Sequence, residues 1–287
     1  MDINSTKITV KGINVQCYLA GKGTDTILLL HGAGVDSALM SWAEVIPLLS
    51  EKYRLIAPDL PGYGDSDRID GEYSLLFYTE IIKGVIEALQ CSPVILAGLS
   101  LGGGISLNMA LEYPGLVKLL IPVDSWGIFQ RLPYHRLTYW YTRSKVNEKL
   151  YKWTGKYDWL VRWSLASSLI GDKSKITDAL TAEVQRAMLE PGAGQPFISF
   201  QKSEITKDGL KTDLFSRLGE IMIPTLLIHG SQDKAVPLKD AVAASKLIPD
   251  CELYIMKGCK HWPQKERPEE FSQAVDDFVT QQIGQTE

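Results

Sequence analysis

The stretch VILAGLSLGGGISLNMALEYP, residues 94–114, decides the fold. It opens as a continuous apolar run, breaks at Gly98, sets Ser100 among glycines, and resumes from Leu101 with helical spacing as far as Tyr113. A short, wholly apolar run bounded by turn residues suits a strand covered on both faces. A Gly-x-Ser-x-Gly pentapeptide arises by chance in a chain of this length roughly one time in ten, so the weight rests on its place between strand and helix. So tight a corner forces its central residue into strained backbone geometry, and small neighbours, here Gly98, Gly102 and Gly103, relieve the crowding. The hydroxyl is then presented at a helix amino end, where free N–H groups and the dipole favour a developing oxyanion. The plain alternative is a glycine-rich helix start capped by a serine.

Outward from this corner the pattern repeats. Apolar runs at Thr26–Leu30, Arg54–Ala57, Pro93–Ala97, Val117–Val123, Thr225–Ile228 and Cys251–Met256 predict strands. Helical spacing recurs at Leu39–Ser50, Ser74–Gln90, Leu101–Tyr113, Lys239–Leu247 and Pro268–Ile283. Strand alternating with helix implies right-handed crossovers and a doubly wound α/β sheet. The opening KITVKGINVQCYLAGKG, with Gly12 between two β-prone runs, reads as an antiparallel hairpin on the sheet edge.

The rhythm stops between Trp126 and about Thr206. No strand is predicted there, and five of the seven tryptophans (Trp126, Trp140, Trp153, Trp159, Trp163) fall in its first half. Helical stretches at Pro133–Trp163 and Thr177–Leu189 end in the breaker-rich EPGAGQP, residues 190–196. Residues 1–125 and 207–287 are therefore expected to form one α/β core. Residues 126–206 are expected to form a helical lid over the carboxyl edge of the sheet, where open α/β proteins place their ligand sites.

The chain has 287 residues, a formal net charge of -4 and a pI near 5.7, which gives no reason to expect a nucleic-acid partner. No run reaches the length of a membrane-spanning helix, and the start MDINSTKITVKG lacks the plan of a secretory signal. Cys17, Cys91, Cys251 and Cys259 are scattered, as suits reduced thiols. A cytoplasmic location is the expectation. Cys259 and His261 lie close together, but a zinc site needs two further ligands that nothing nearby supplies, so no metal is expected.

A serine hydroxyl becomes a nucleophile only when a base takes its proton, and the base needs an orienting carboxylate. Of four histidines, His31 and His229 end apolar strands and His135 lies in the lid. His261 alone sits in a loop, GCKHWPQ, between a late strand and the last helix, and is the expected base. Asp233, in IHGSQDKAVP just past the Thr225–Ile228 strand, is the expected acid; Asp124, ending LLIPVD, is its rival. An oxyanion hole needs a second N–H beside that of Leu101, and Ala33 in HGAG, residues 31–34, is the candidate. His31, Gly34, Trp126 and Trp262 are the expected substrate pocket.

HGAG, DLPGYGDSD at Asp59–Asp67, GLSLGG, GSQD and KHWPQKERPEEF together resemble the α/β-hydrolase superfamily, over nearly the whole chain outside the lid. The order Ser100, Asp233, His261 matches that superfamily's nucleophile, acid, histidine order. The resemblance implies an eight-stranded, mostly parallel sheet with a lid inserted after the sixth strand. It also implies catalysis without a cofactor, through an acyl-enzyme on Ser100. Epoxide hydrolases and haloalkane dehalogenases of this fold carry an aspartate where Ser100 stands. Hydrolases that cleave carbon–carbon bonds of ring-fission products usually carry an asparagine where Leu99 stands, and proline iminopeptidases a tryptophan where Leu101 stands.

Between Trp126 and Lys175 there are ten Lys and Arg against three Asp and Glu, leaving 20 basic and 31 acidic residues elsewhere. A basic, aromatic-rich lid on an acidic protein fits a plain amphipathic cover, a reader of an anionic group on an apolar substrate, or a surface that rests on acidic lipid. The expectation is a serine hydrolase, carboxylesterase-like, cleaving an ester or related acyl bond of a small apolar or aromatic substrate, as monomer or homodimer. The alternatives are a carbon–carbon hydrolase and a non-catalytic small-molecule binder.

Overall fold

Eight strands form one sheet in the computed structural model of the chain, which describes residues 3–284. They are β1 (Asn4–Val10), β2 (Ile13–Ala20), β3 (Thr26–Leu30), β4 (Arg54–Pro58), β5 (Val94–Leu99), β6 (Val117–Val123), β7 (Thr225–Gly230) and β8 (Cys251–Met256). Their spatial order is β1-β2-β4-β3-β5-β6-β7-β8. β2 pairs antiparallel with both β1 and β4, and every other pairing is parallel, so the sheet is mostly parallel as expected. Strands β3, β5 and β7 are buried along their whole length, whereas the edge strands β1 and β8 alternate. Continuous apolar runs therefore mark interior strands covered on both faces.

The helices are α1 (Ala38–Trp42), α2 (Ile46–Leu49), α3 (Leu75–Ala88), α4 (Leu101–Glu112), α5 (His135–Arg143), α6 (Lys145–Thr154), α7 (Asp158–Ser164), α8 (Asp178–Leu189), α9 (Gln195–Glu204), α10 (Leu238–Ser245), α11 (Pro263–Glu266) and α12 (Pro268–Gly284). One apolar cluster joins Leu28, Leu30 and Leu96 to Tyr78, Ile82, Ile105 and Met109 of α3 and α4. The other joins Ile27, Leu29, Ile95 and Ala97 to Trp42 of α1 and to Phe271 and Val275 of α12. Alternate residues of each strand thus feed the two faces, as the pleat dictates.

Three helix expectations change. The stretch Leu39–Ser50 is two short helices, because Pro47 has no N–H to extend the first and instead starts the second. In the lid, EPGAGQP does not end the helical structure: Gly194, at φ 79, turns the chain and Pro196 sits in the first turn of α9. A breaker in mid-helix is a starter at the amino end. The stretch Pro133–Trp163 divides into α5, α6 and α7, interrupted at Ser144 and again at Gly155–Tyr157.

What positions the site is the order of the strands. β3 lies between β4 and β5, so the chain's progress across the sheet reverses there, and the loops after β3 and β5 emerge side by side. Leu30 pairs with Gly98, Leu99 with Val123, and Val123 with Ile228, so those strand ends are level.

Candidate active site

Ser100 follows β5 with φ 50 and ψ −108, a backbone conformation that non-glycine residues rarely adopt. The strain is held from several sides. Its N–H donates to Val123 O at 2.8 Å, and its carbonyl accepts from Trp126 at 2.9 Å and Gly104 at 3.0 Å. The glycines are steric necessities: a Cβ on Gly98 would lie 2.2 Å from Gly102 O, and one on Gly102 would lie 2.4 Å from Leu30 O. The serine side chain makes no capping hydrogen bond to α4, so the hydroxyl is not used up as a helix cap.

His261 lies in the loop after β8, and its Nδ1 donates to Asp233 Oδ2 at 2.6 Å. Asp233 does two things at once. Its Oδ1 accepts the N–H groups of Ala235 at 2.7 Å and Val236 at 3.1 Å, the turn-forming role open to any loop aspartate, and this fixes Oδ2 toward the imidazole. Burial works to raise the Asp233 carboxyl, but the charge and hydrogen bond of His261, together with His229, outweigh it and hold the group below its usual range.

Asp124, the rival acid, faces elsewhere. It ends β6 at φ 41, fully buried, and its Oδ1 accepts Gly230 N–H at 2.9 Å. Burial and the neighbouring charge of Asp233 push its carboxyl far up, toward the protonated form. His229 donates Nε2–H to Val236 O at 2.9 Å, and burial favours its neutral form. Among the described residues, Asp124, His229 and Asp233 bring one ligand-type atom each within 4.8 Å of one another. One atom of each is engaged, by Gly230, Val236 and His261 respectively, while His229 Nδ1 lies 3.1 Å from Asp124 Oδ1 and Asp124 Oδ2 is buried without a hydrogen-bond partner. Cys259 is buried, and burial pushes its thiol up to about 12.

The loop after β3 carries Ala33. Asp36 braces it, accepting Gly32 N–H at 2.8 Å and the Ser41 hydroxyl at 2.6 Å on Oδ2, and Ser37 N–H at 2.9 Å on Oδ1. Gly34, at φ 84, turns the loop, and its carbonyl accepts the Tyr151 hydroxyl at 3.3 Å, which ties α6 to it. His31 is placed differently from its expected pocket role. It is fully buried behind the loop, with Nδ1–H on Gly32 O at 2.7 Å and Nε2 accepting Leu60 N–H at 2.9 Å. Both nitrogens are spent, Nδ1 on the loop after β3 and Nε2 on the Asp59–Asp67 turn.

Ser100, Leu101, Ala33 and His261 all border one cavity of about 460 Å³ beneath the lid. Gly34, Trp126 and Trp262 line it too; His31 does not. The rest of the wall is Val35, Phe129, Leu132, Leu165, Leu169, Val184, Met188, Phe197, Phe200, Ile205, Ala235 and Val236, with Gly32, Thr138, Ser164, Ser168 and Gln201. Among the described residues no Lys, Arg, Asp or Glu borders it. The lid's basic residues point elsewhere: Arg143 reaches Lys202 O, Arg162 pairs with Asp158 and Asp178, and Lys152 pairs with Glu148. A larger surface cavity, about 660 Å³, lies outside between α6 and α9, bordered by Glu72, Glu148, Lys152 and Lys202 and by none of the four converging residues.

One residue of this region gave no signal in the sequence. Glu266, buried at the end of α11, accepts Lys260 N–H at 2.7 Å on Oε1 and the N–H groups of Gly171 at 2.8 Å and Asp172 at 2.9 Å on Oε2. Trp262 N–H adds a bond to Leu169 O at 3.0 Å. The segment that carries His261 is thereby fastened to the lid. Glu266 stands among other acidic residues in KERPEEF, and only the fold distinguishes it.

A family model for the alpha/beta hydrolase fold matches residues 25–268. The chain belongs to this family. This α/β hydrolase and the 2-hydroxy-6-oxo-6-phenylhexa-2,4-dienoate hydrolase of Burkholderia cepacia are 31% identical over 287 residues, covering 95% of this chain and 94% of the relative. A 2-hydroxy-6-oxo-2,4-heptadienoate hydrolase of Pseudomonas putida is 28% identical over 273 residues, covering 93% of each. Among solved structures, the meta-cleavage product hydrolase of Pseudomonas fluorescens IP01 superposes on this α/β hydrolase with a TM-score of 0.80 at 27% identity, over 96% of this chain and 97% of that one.

Proposed function

We propose that this α/β hydrolase is a serine hydrolase of an uncharged, apolar substrate, cleaving an ester or related acyl bond through an acyl-enzyme. The observation that carries the reading is the convergence of Ser100, His261, Ala33 and Leu101 on one cavity whose wall is mainly apolar and, among the described residues, holds no Lys, Arg, Asp or Glu. In this reading Ser100 Oγ attacks the carbonyl carbon while His261 Nε2 takes its proton, and Asp233 holds the imidazole in the required tautomer and stabilises the imidazolium. The N–H groups of Leu101 and Ala33 receive the negative charge that develops on the carbonyl oxygen. His261 then returns the proton to the leaving group and activates the water that frees Ser100. Each role uses only groups of this chain.

The neutral wall supports an apolar acyl group over an anionic one, because an unpaired carboxylate in such a site is costly. The four cysteines are unbridged, which supports a reducing, cytoplasmic setting.

A second reading rests on the relatives. Their names are those of hydrolases of 2-hydroxy-6-oxo-dienoates, and they speak for carbon–carbon cleavage more directly than for ester cleavage. Against it stands Leu99 beside Ser100, and no Lys or Arg borders the cavity among the described residues to pair with a dienoate carboxylate. One set of measurements separates these and the non-catalytic binder. A fluorophosphonate probe labels the wild type and not Ser100→Ala if the chain is a serine hydrolase at all. Among substrates, p-nitrophenyl esters of increasing acyl length should exceed a ring-fission dienoate in kcat/KM. The reverse order overturns the ester reading in favour of the second.

A further inference from the structure

Most lid aromatics face away from the cavity. On α6, Val146, Leu150 and Trp153 are exposed at spacings of four and three, one stripe of the helix. Lys145, Lys149 and Lys152 form the stripe beside it, with Lys156 following in the turn. The flanking helices repeat the theme: Trp140 on α5 is 65% exposed, and Trp159 and Trp163, one turn apart on α7, are 62% and 65% exposed. Tryptophans left this open on three successive helices exceed the scattered apolar residues of an ordinary surface.

The charges say what would cover them. Of the acidic residues on these helices, Glu148 is taken up by Lys152 at 2.9 Å and Asp158 by Arg162 at 2.8 Å. Arg136, Lys145, Lys149 and Lys156 have no ion-pair partner among the described residues. A second copy of the chain is a poor occupant, because a self-complementary contact sets these cations against their own kind. Other acidic surfaces lack a place for the indoles. A sheet of anionic headgroups over hydrocarbon takes both, since Trp sits at the membrane interface and Lys and Arg meet anionic lipid. No helix of the chain is long and apolar enough to cross a membrane, so the contact is superficial.

We propose that the outer face of α5–α7 is a docking surface for an anionic phospholipid bilayer, with the indoles entering the interface and the unpaired cations meeting the headgroups. This is independent of which bond the cavity cuts.

The test is co-sedimentation of the full chain with phosphatidylglycerol-containing vesicles and with pure phosphatidylcholine vesicles, at low and at high salt. Binding is expected to the anionic vesicles at low salt, with a blue shift of tryptophan emission, and to weaken as salt rises. The triple variant Lys145→Glu, Lys149→Glu, Lys156→Glu should lose affinity by on the order of a hundred-fold or more. Trp153→Ser with Trp163→Ser should weaken binding while leaving the lysines in place. An unchanged circular dichroism spectrum and an unchanged Tm show that each variant is folded. Equal binding to both vesicle types, no binding at low salt, or indifference to the lysine reversal would overturn the proposal. A homodimer in sedimentation velocity that these same substitutions split would also overturn it, and would make the occupant a second copy.

Discussion

His261 Nδ1 meets Asp233 Oδ2 at 2.6 Å, although Asp124 ends the neighbouring strand β6 and is buried just as deeply. The choice is made by backbone. Two N–H groups of the Asp233 loop hold one oxygen and aim the other at the ring, whereas Asp124 is turned to Gly230 N–H. Asp233→Asn should therefore lower kcat by roughly 10⁴-fold, the loss seen when a base is left in the wrong tautomer. Asp124→Asn replaces a carboxyl already pushed toward its neutral form, and should cost less than about tenfold. Steady-state kinetics of the two variants on one p-nitrophenyl ester decide the matter; equal losses would mean that the two carboxyls act as a unit.

Glu266 holds three backbone N–H groups of two segments with one carboxylate. Glu266→Ala leaves them to whatever water can reach, and should reduce stability by about 2–4 kcal/mol in urea unfolding. Because the same group fixes the His261 loop, kcat should fall as well, even at temperatures where the variant is fully folded.

The corner at Ser100 makes a steric prediction. Gly98→Ala and Gly102→Ala set a Cβ at 2.2 and 2.4 Å from backbone oxygens, and neither variant should accumulate as folded protein. Gly34→Ala is the control: nothing lies within 4 Å of its Cβ, and only its positive φ is strained. It should fold with a loss of roughly 1–2 kcal/mol, read as a lowered Tm.

Acidification should expose His31. Burial lowers its imidazole from 6.5 to about 4, so between those values the unfolded chain binds a proton that the folded chain refuses. Its contribution is intact above pH 6.5 and is lost as pH falls toward 4, by on the order of 3 kcal/mol. Asp36 opposes it: burial lifts that carboxyl from 3.8 to about 6, against the hydrogen bonds of Ser41, Gly32 and Ser37, so the folded state gains as pH falls through that range. Denaturant titrations between pH 4 and 7 should give a shallower slope for His31→Asn than for the wild type, and a steeper one for Asp36→Asn.

The interior of the sheet was legible because covered strands must be apolar, and Thr26–Leu30 and Val117–Val123 begin and end where their runs do. The serine corner was legible because Gly98 is demanded by Gly102 four residues on, although Gly102 itself is demanded by Leu30 of another strand. The lid was legible as helical, while its partition was not: Pro196 reads as a terminator until the turn at Gly194 shows it to be a start. His31 was misread because a strand-end histidine near Ser100 can face the cavity or the core, and only packing separates the two. Glu266 was invisible because two of its three partners, Gly171 and Asp172, lie 95 and 94 residues away in sequence.

The fastening of residues 169–172 to the segment 260–266 bears on how such proteins can be recombined. A lid transplanted from a relative at its obvious borders would arrive without the matching handholds for Glu266 and Trp262. Such a chimera should lose turnover before it gains a new specificity, unless both segments are moved as a set.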